Sequence, residues 1–255
     1  MDNNVLLRVE DLVTNPTPRV PICLCLDTSG SMKAIEGGNY VSTGRTEIID
    51  GEEWEIVTGG TSRLDELQKG IQLFYDSINE DEIAVYSAEI CIVTFDDEAR
   101  CLMDFSNINR QNVPTLQTAD KTSLGEGVAL ALDLLEKRKQ EYQDKGVDYY
   151  QPWLVLMTDG IPNGNKSVLD DSIARTVKMV NNKKLTVFPI GIGKDADMAV
   201  LDKFSPKRKA LRLQGLKFKE FFEWLSKSVS RTSNSVPGES VPLDVDGLKG
   251  WASLD

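Results

Sequence analysis

The chain reads as an α/β protein built on a largely parallel sheet with helices on both faces, and three observations carry that reading. Short apolar runs, "VPICLCL" (20–26), "AEICIVTF" (88–95), "WLVLMT" (153–158) and "LTVFPIGIG" (185–193), have the length and residue types of buried strands. Between them, apolar residues recur at steps of three and four, the period of a helix with one buried face. Strand and helix therefore alternate, which is the order that βαβ units require.

In chain order, the first strand ends at Leu26, and Leu64, Leu67, Ile71, Phe74 and Ile78 mark the first helix. The run 88–95 and "RCLMDF" (100–105) are joined by "DDEA", a hairpin signal that makes the second of these an antiparallel edge strand. Asp96 and Asp97 in that turn compete as an acid/base pair, but aspartate is ordinary turn chemistry and that reading is preferred. Val128, Ala131, Leu132 and Leu135 make the next helix face, and "WLVLMT" is the run expected of a central strand covered on both sides. Leu169, Ile173, Val177 and Val180 give a further helix before the strand 185–193. Pro189 removes a ladder donor there, which makes that strand peripheral or irregular at its end. Phe218, Phe221, Phe222, Leu225 and Val229 line a last amphipathic helix.

Two segments break the alternation. Residues 33–62 separate the first strand from its helix and contain "TEIIDGEEWEIV", two β-prone stretches around Asp50-Gly51, with Trp54 and Ile56 on one face of the second. From 232 the chain has prolines, glycines and no helical period, and it predicts an extended surface tail with Trp251 as an anchor. The expected organisation is one domain over 1–231 with a hairpin-like insertion at 33–62, followed by the tail 232–255.

Composition narrows the function. At 255 residues, 40% hydrophobic and 27% charged, the chain is long enough for a substantial core. A net charge of −11 without a long basic run argues against nucleic acid and anionic membrane as partners. No apolar run approaches the ~18 residues of a membrane span, and the first residues lack the pattern of a signal peptide, so a cytoplasmic location is expected. The absence of histidine removes Ser–His and Cys–His nucleophile schemes and His-ligated zinc. Cys23, Cys25, Cys91 and Cys101 read as buried free thiols, and without a C-x-x-C pair neither zinc nor thioredoxin-like chemistry is expected.

In a parallel α/β sheet the loops at the carboxyl ends of the strands form the usual site. Three such loops carry oxygen-bearing residues: "DTSGS" with Asp27, Ser29 and Ser31, "DKTSLGEG" with Thr122, and "TDGIPNG" with Asp159. Each is weak alone, as a turn or a helix cap, and the conjunction is the signal. The pieces "LDTSGSM", "KTSLGEGV", "LMTDG" and "FPIGIG", in that order, resemble a von Willebrand factor type A domain. "SLGEGVALALDLLE", "DYYQPWLVLMTDGIPNG", "FFEWLSKSVS" and "SVPGESVPL" are most similar to the bacterial TerY-like group of that family.

The resemblance implies a Rossmann-like, doubly wound sheet bearing a metal-ion-dependent adhesion site. It implies Ser29, Ser31 and Thr122 as direct ligands and Asp27 and Asp159 as ligands through water. An all-oxygen set selects Mg2+, with Mn2+ or Ca2+ as replacements. Uncharged direct ligands leave the cation able to attract an Asp or Glu carboxylate from a protein partner. TerY-like proteins are associated with tellurite-resistance and stress-response clusters encoding kinase- and phosphatase-type partners, which implies a cytoplasmic adaptor.

The alternative is a metal-dependent hydrolase or phosphotransferase. Against it, Ser29 stands where a dehalogenase-like enzyme needs its acid/base Asp, and no phosphate loop with Lys is present. For the acidic insertion 33–62, with Glu36, Glu47, Asp50, Glu52, Glu53 and Glu55, three readings stand. It is a tolerated loop, a hairpin that selects the partner, or the source of a carboxylate that caps the ion.

Overall fold

The protein is described by a computed structural model covering Leu12, residues 14–49, 52–238 and 252–254. Strand β1 (Val20–Asp27) runs into a short 3-10 turn, Gly30–Lys33. Next come β2 (Ile35–Ile49), β3 (Glu52–Ser62), α1 (Arg63–Asn79), the single turn α2 (Ala84–Ser87), β4 (Ala88–Phe95) and β5 (Ala99–Asn107). The second half holds α3 (Leu124–Lys145), β6 (Trp153–Thr158), α4 (Lys166–Asn181), β7 (Thr186–Ile192), α5 (Met198–Lys203), β8 (Leu211–Leu213), α6 (Phe218–Ser233) and β9 (Ala252–Leu254).

Seven strands form one sheet in the order β5-β4-β1-β6-β7-β8-β9. The strands β4, β1, β6, β7 and β8 are mutually parallel, and β5 is antiparallel to β4 at one edge. Described tail residues 252–254 add a second antiparallel strand, β9, beside β8. The chain leaves β1 for β4 on one side and later returns to β6 on the other, so the order reverses at β1. A crevice opens at such a switch point, at the carboxyl ends of β1 and β6.

Period two in β1 sorts its side chains between two cores. Ile22, Leu24 and Leu26 face α1 and α6, meeting Leu67, Ile71, Phe74, Phe221 and Leu225. Cys23 and Cys25 face α3 with Leu124, Val128 and Leu132. Each aliphatic side chain buried this fully contributes about 1.5–3 kcal/mol, which anchors β1 and therefore Asp27 at its end. Behind α3, the buried carboxylate of Glu89 accepts hydrogen bonds from Arg19 Nε (3.1 Å), Arg138 Nε (2.7 Å) and the Tyr142 hydroxyl (2.5 Å). The charge is thus shared among fixed donors.

The break in alternation at 33–62 is a separate two-stranded antiparallel sheet, β2 with β3. Ile49 pairs with Glu52, so the two strands converge on Asp50 and Gly51, which themselves lie outside the described residues, as does Trp251. Trp54 is half-buried and Ile56 is 38% exposed, with Glu47 and Arg45 as their respective cross-strand partners. At the base of this ribbon Gly60 has φ +78°, and a Cβ there would lie 2.4 Å from Ile35 Cγ2, so only glycine lets the strands close.

Three expectations need correction. The strand carrying Pro189 is interior, flanked by β6 and β8; the ladder with β8 starts at Ile190, one residue beyond the missing N–H. Cys101 is exposed, because β5 is an edge strand whose outer half is open to solvent. The last helix runs to Ser233, two residues into the stretch read as tail, held by hydroxyls of Thr232 and Ser233 bonding back to the carbonyls of Ser228 and Val229.

Candidate metal centre

All five oxygen-bearing residues lie at the carboxyl end of the sheet. Asp27 is the last residue of β1, and Thr158 ends β6 beside it, with Asp159 the next residue. Asp27 Oδ1 accepts the Ser29 backbone N–H at 2.8 Å, and Oδ2 accepts the Thr158 hydroxyl at 2.5 Å. The first bond curls the chain after β1 and aims Ser29 and Ser31 inward, with their hydroxyl oxygens 3.0 Å apart. Ser31 donates to Asp159 Oδ1 at 2.6 Å. A Cβ on Gly160 would stand 3.7 Å from Thr122 Oγ1 and 4.0 Å from Ser31 Oγ, so the two hydroxyls flank the same glycine. Asp27, Ser29, Thr122 and Asp159 are buried, and half-buried Ser31 is the open side of the cluster.

Several residues that sequence reading did not single out position this set. Asn163, from the loop after β6, accepts the Thr122 N–H on its side-chain oxygen at 2.8 Å, and its own N–H donates to the Thr122 carbonyl at 3.2 Å. That clamp ties the Thr122 loop to the Asp159 loop. Asp96 makes the turn bond expected of it, accepting the Glu98 N–H at 3.3 Å, and also reaches beyond the turn. Its carboxylate accepts the Thr28 hydroxyl at 3.1 Å and pairs with Arg100 at 3.0 Å, while its carbonyl accepts the Ser123 N–H at 3.0 Å. It therefore links the loops after β1, β4 and before α3. Gly125 admits the start of α4 against α3: a Cβ there would lie 2.6 Å from the Leu169 backbone.

Arg63 is the most consequential omission. Ser62 caps α1: its hydroxyl accepts the Asp65 N–H at 3.0 Å, and the Asp65 carboxylate accepts the Ser62 N–H at 3.2 Å. That box fixes Arg63 as the first helical residue, with its side chain 2% exposed. Its Nη1 donates to Asp159 Oδ2 at 2.7 Å and its Nε to Glu36 Oε1 at 2.9 Å, with Asp195 at 3.6 Å. A lone arginine at a helix start carries no sequence signal for this. Only the fold brings residue 63 to residue 159.

The electrostatics are unbalanced at Asp27. Burial and the neighbouring Asp159 charge push its carboxyl from an ordinary 3.8 up to about 7, against the opposing hydrogen bonds from Ser29 and Thr158. Burial also raises Asp159, countered by Ser31 and Arg63. Two buried carboxylates with one arginine, beneath three hydroxyls, form an all-oxygen donor set with surplus negative charge. Such a set fits a hard divalent cation. By contrast, a cavity of about 810 Å3 lies at the opposite end of the strands, lined by Gln151, Trp153, Thr186 and Arg208, among others, and brings no comparable carboxylate set together.

Residues 22–215 match the model of the von Willebrand factor type A domain. Similar folds occur in a von Willebrand factor type A protein from Catenulispora acidiphila (15% identity, TM-score 0.58, 84% of this chain and 43% of that one). They also occur in the PilB minor pilin from Streptococcus sanguinis (16%, 0.56, 87% and 64%). A third is proximal thread matrix protein 1 from the mussel byssus (16%, 0.52, 85% and 47%). The chain thus spans less than two thirds of each of these proteins. No curated protein matches it. With a family model covering more than half of its length and the matching sheet, this chain belongs to the von Willebrand factor type A domain family.

Proposed function

We propose that the chain is a protein-interaction module that binds a carboxylate of its partner through a divalent cation held by Asp27, Ser29, Ser31, Thr122 and Asp159. The observation that carries this reading is the meeting of two buried carboxylates and three hydroxyls at the switch point. Mg2+ is the expected ion, with Mn2+ or Ca2+ as replacements, and when bound it supplies an electrophilic position for an anionic oxygen. Ser29, Ser31 and Thr122 would hold it directly, while Asp27 and Asp159 would orient its water ligands. Asp27 is fully buried and committed to Ser29 and Thr158, so it positions ligands and is not placed to take a proton from a substrate. The rim suits a protein surface: Ile161, two residues past Asp159, is 68% exposed.

The finer placement rests on sequence resemblance to the TerY-like group. On that reading the module is a cytoplasmic adaptor in a bacterial stress-response, tellurite-resistance or defence system, and its partners are kinase- or phosphatase-type proteins. Capture of partners from the native host with Mg2+, and again with EDTA, tests the proposal. A protein retained only with Mg2+, and lost when one of its Asp or Glu residues is replaced, is the expected result. Truncating one member of a close charged pair costs about 2–5 kcal/mol, roughly 30- to 4,000-fold in affinity. Capture indifferent to both chelation and carboxylate replacement refutes the mechanism.

A further inference from the structure

The thiols tell a different story from the oxygens. On the α3 side of the sheet, the Cys91 and Cys101 sulfurs and an Asp104 carboxylate oxygen all lie within 4.8 Å of one another. Behind them the Cys23 thiol is in side-chain contact with that of Cys91, so three sulfurs run in a row from the core to the surface. The sequence hides this group, because Cys91 and Cys101 are ten residues apart on two strands of a hairpin. The β4–β5 ladder is also irregular here, with register shifts between Ile90 and Ile92 and between Ile92 and Val93. Such irregularities re-aim side chains.

We propose that Cys91, Cys101 and Asp104 form a second cation site, for a thiophilic divalent ion of the Zn2+ and Cd2+ class, with water as the fourth ligand. A tetrahedral ion with bonds of about 2.3 Å to sulfur places its ligands about 3.8 Å apart. The three atoms therefore need to close by no more than about 1 Å. Solvent reaches the group from outside, since Cys101 is exposed and the Asp104 side chain is 40% exposed. Softness separates this site from the oxygen centre: thiolates select the class that hydroxyls and carboxylates do not. Lys137, 3.9 Å from Asp104, is the neighbouring charge that the ion displaces.

The Cys91 thiol lies well above its ordinary range, because its contact with Cys101 lowers it less than its contact with Cys23 and burial together raise it, and Cys101 is raised by its contact with Cys91 and by burial. Both are neutral near pH 7 without the ion. Binding is then M2+ plus two thiols plus one carboxylate, giving the complex and two protons released to solvent. Affinity accordingly rises with pH, by about 100-fold per pH unit while both thiols start protonated.

The test is a Cd2+ titration of the full chain under reducing conditions with Mg2+ in excess, followed by thiolate-to-cadmium absorption in the ultraviolet. Oxygen ligands give no such band, so occupation of the metal centre described above is not read. One equivalent of Cd2+ should develop a two-thiolate band, with the stated pH dependence. Cys101→Ser and Asp104→Asn change exposed side chains, and each should weaken binding by at least about tenfold. Cys91→Ala should do the same while circular dichroism shows the fold retained. No band in the wild type overturns the site. A band unaffected by Cys91→Ala assigns it to Cys101 alone, one unaffected by Asp104→Asn removes the carboxylate from the ligand set, and either overturns the site. Should Cys91→Ala unfold the chain, the Cys101→Ser and Asp104→Asn titrations decide.

Discussion

Replacing Asp27 by asparagine keeps the shape of the side chain and removes its charge, and the structure fixes what should follow. The asparagine oxygen still accepts the Ser29 N–H now held at 2.8 Å, and its amide donates to Thr158 where the hydroxyl now donates. Only the electrostatic term changes. In the metal-free wild type the carboxyl ionises at about 7 rather than 3.8, so the folded state holds the proton more tightly than the unfolded chain. A raised carboxyl destabilises: the cost begins as pH climbs past 3.8, grows up to about 7 and is constant above it. At 1.36 kcal/mol for each pKa unit, the full cost is on the order of 4 kcal/mol. Urea denaturation in EDTA from pH 4.5 to 8 should show Asp27→Asn gaining on the wild type as pH rises, by several kcal/mol at pH 8. Mg2+ should close most of that gap. At a hundred times its dissociation constant it stabilises the wild type by about 2.7 kcal/mol and does nothing for the variant. A difference between the two proteins that stays flat across this pH range would refute the claim that Asp27 sits in an unfavourable field awaiting a cation.

Arg63→Met removes the guanidinium from Asp159 and Glu36, and breaking a buried pair of this kind costs about 3–5 kcal/mol in metal-free denaturation. Mg2+ should restore more stability to this variant than to the wild type, because the ion is then the cation nearest Asp159; a loss that Mg2+ does not touch contradicts the shared-carboxylate picture. Replacing residues 36–60 by a short Gly-Ser linker should leave folding and calorimetric Mg2+ binding largely intact while partner capture falls sharply. Undiminished capture would show that the ribbon is a tolerated loop.

The alternation of strand and helix was legible because burial on both faces forces continuous apolar runs, and β1, β4, β6 and β7 have them. The residues at the strand ends were legible for a related reason: Asp27 and Asp159 interrupt such runs where the fold leaves the chain no apolar contacts. Arg63, Asn163 and the Cys91–Cys101 pair were not legible, since each acts across a contact that sequence separation conceals. Arg63 meets Asp159 across 96 residues and Asn163 meets Thr122 across 41. Asp96 was read as turn chemistry because its local setting is a turn; its role for Thr28 and Ser123 depends on β1 and β4 being neighbours.

The insertion also gains meaning from where it is tied. It leaves the chain at Ile35, four residues past Ser31, and returns through Ser62, the cap that orients Arg63. The Arg63 N–H donates to the Ala34 carbonyl at 3.0 Å, which closes the base of the ribbon onto the start of α1. Glu36 therefore reaches the metal centre only through Arg63, and the same guanidinium holds Asp159. Farther out, Tyr40, Val41 and Ile48 are 53%, 70% and 74% exposed, so the ribbon presents apolar side chains away from its base. Arg63 shares its charge between Glu36 and a carboxylate that the proposed cation also needs. Cation and Arg63 thus compete for Asp159. Tighter cation binding accordingly goes with a looser hold of Arg63 on Asp159, and by linkage that hold biases cation affinity to the same extent in return.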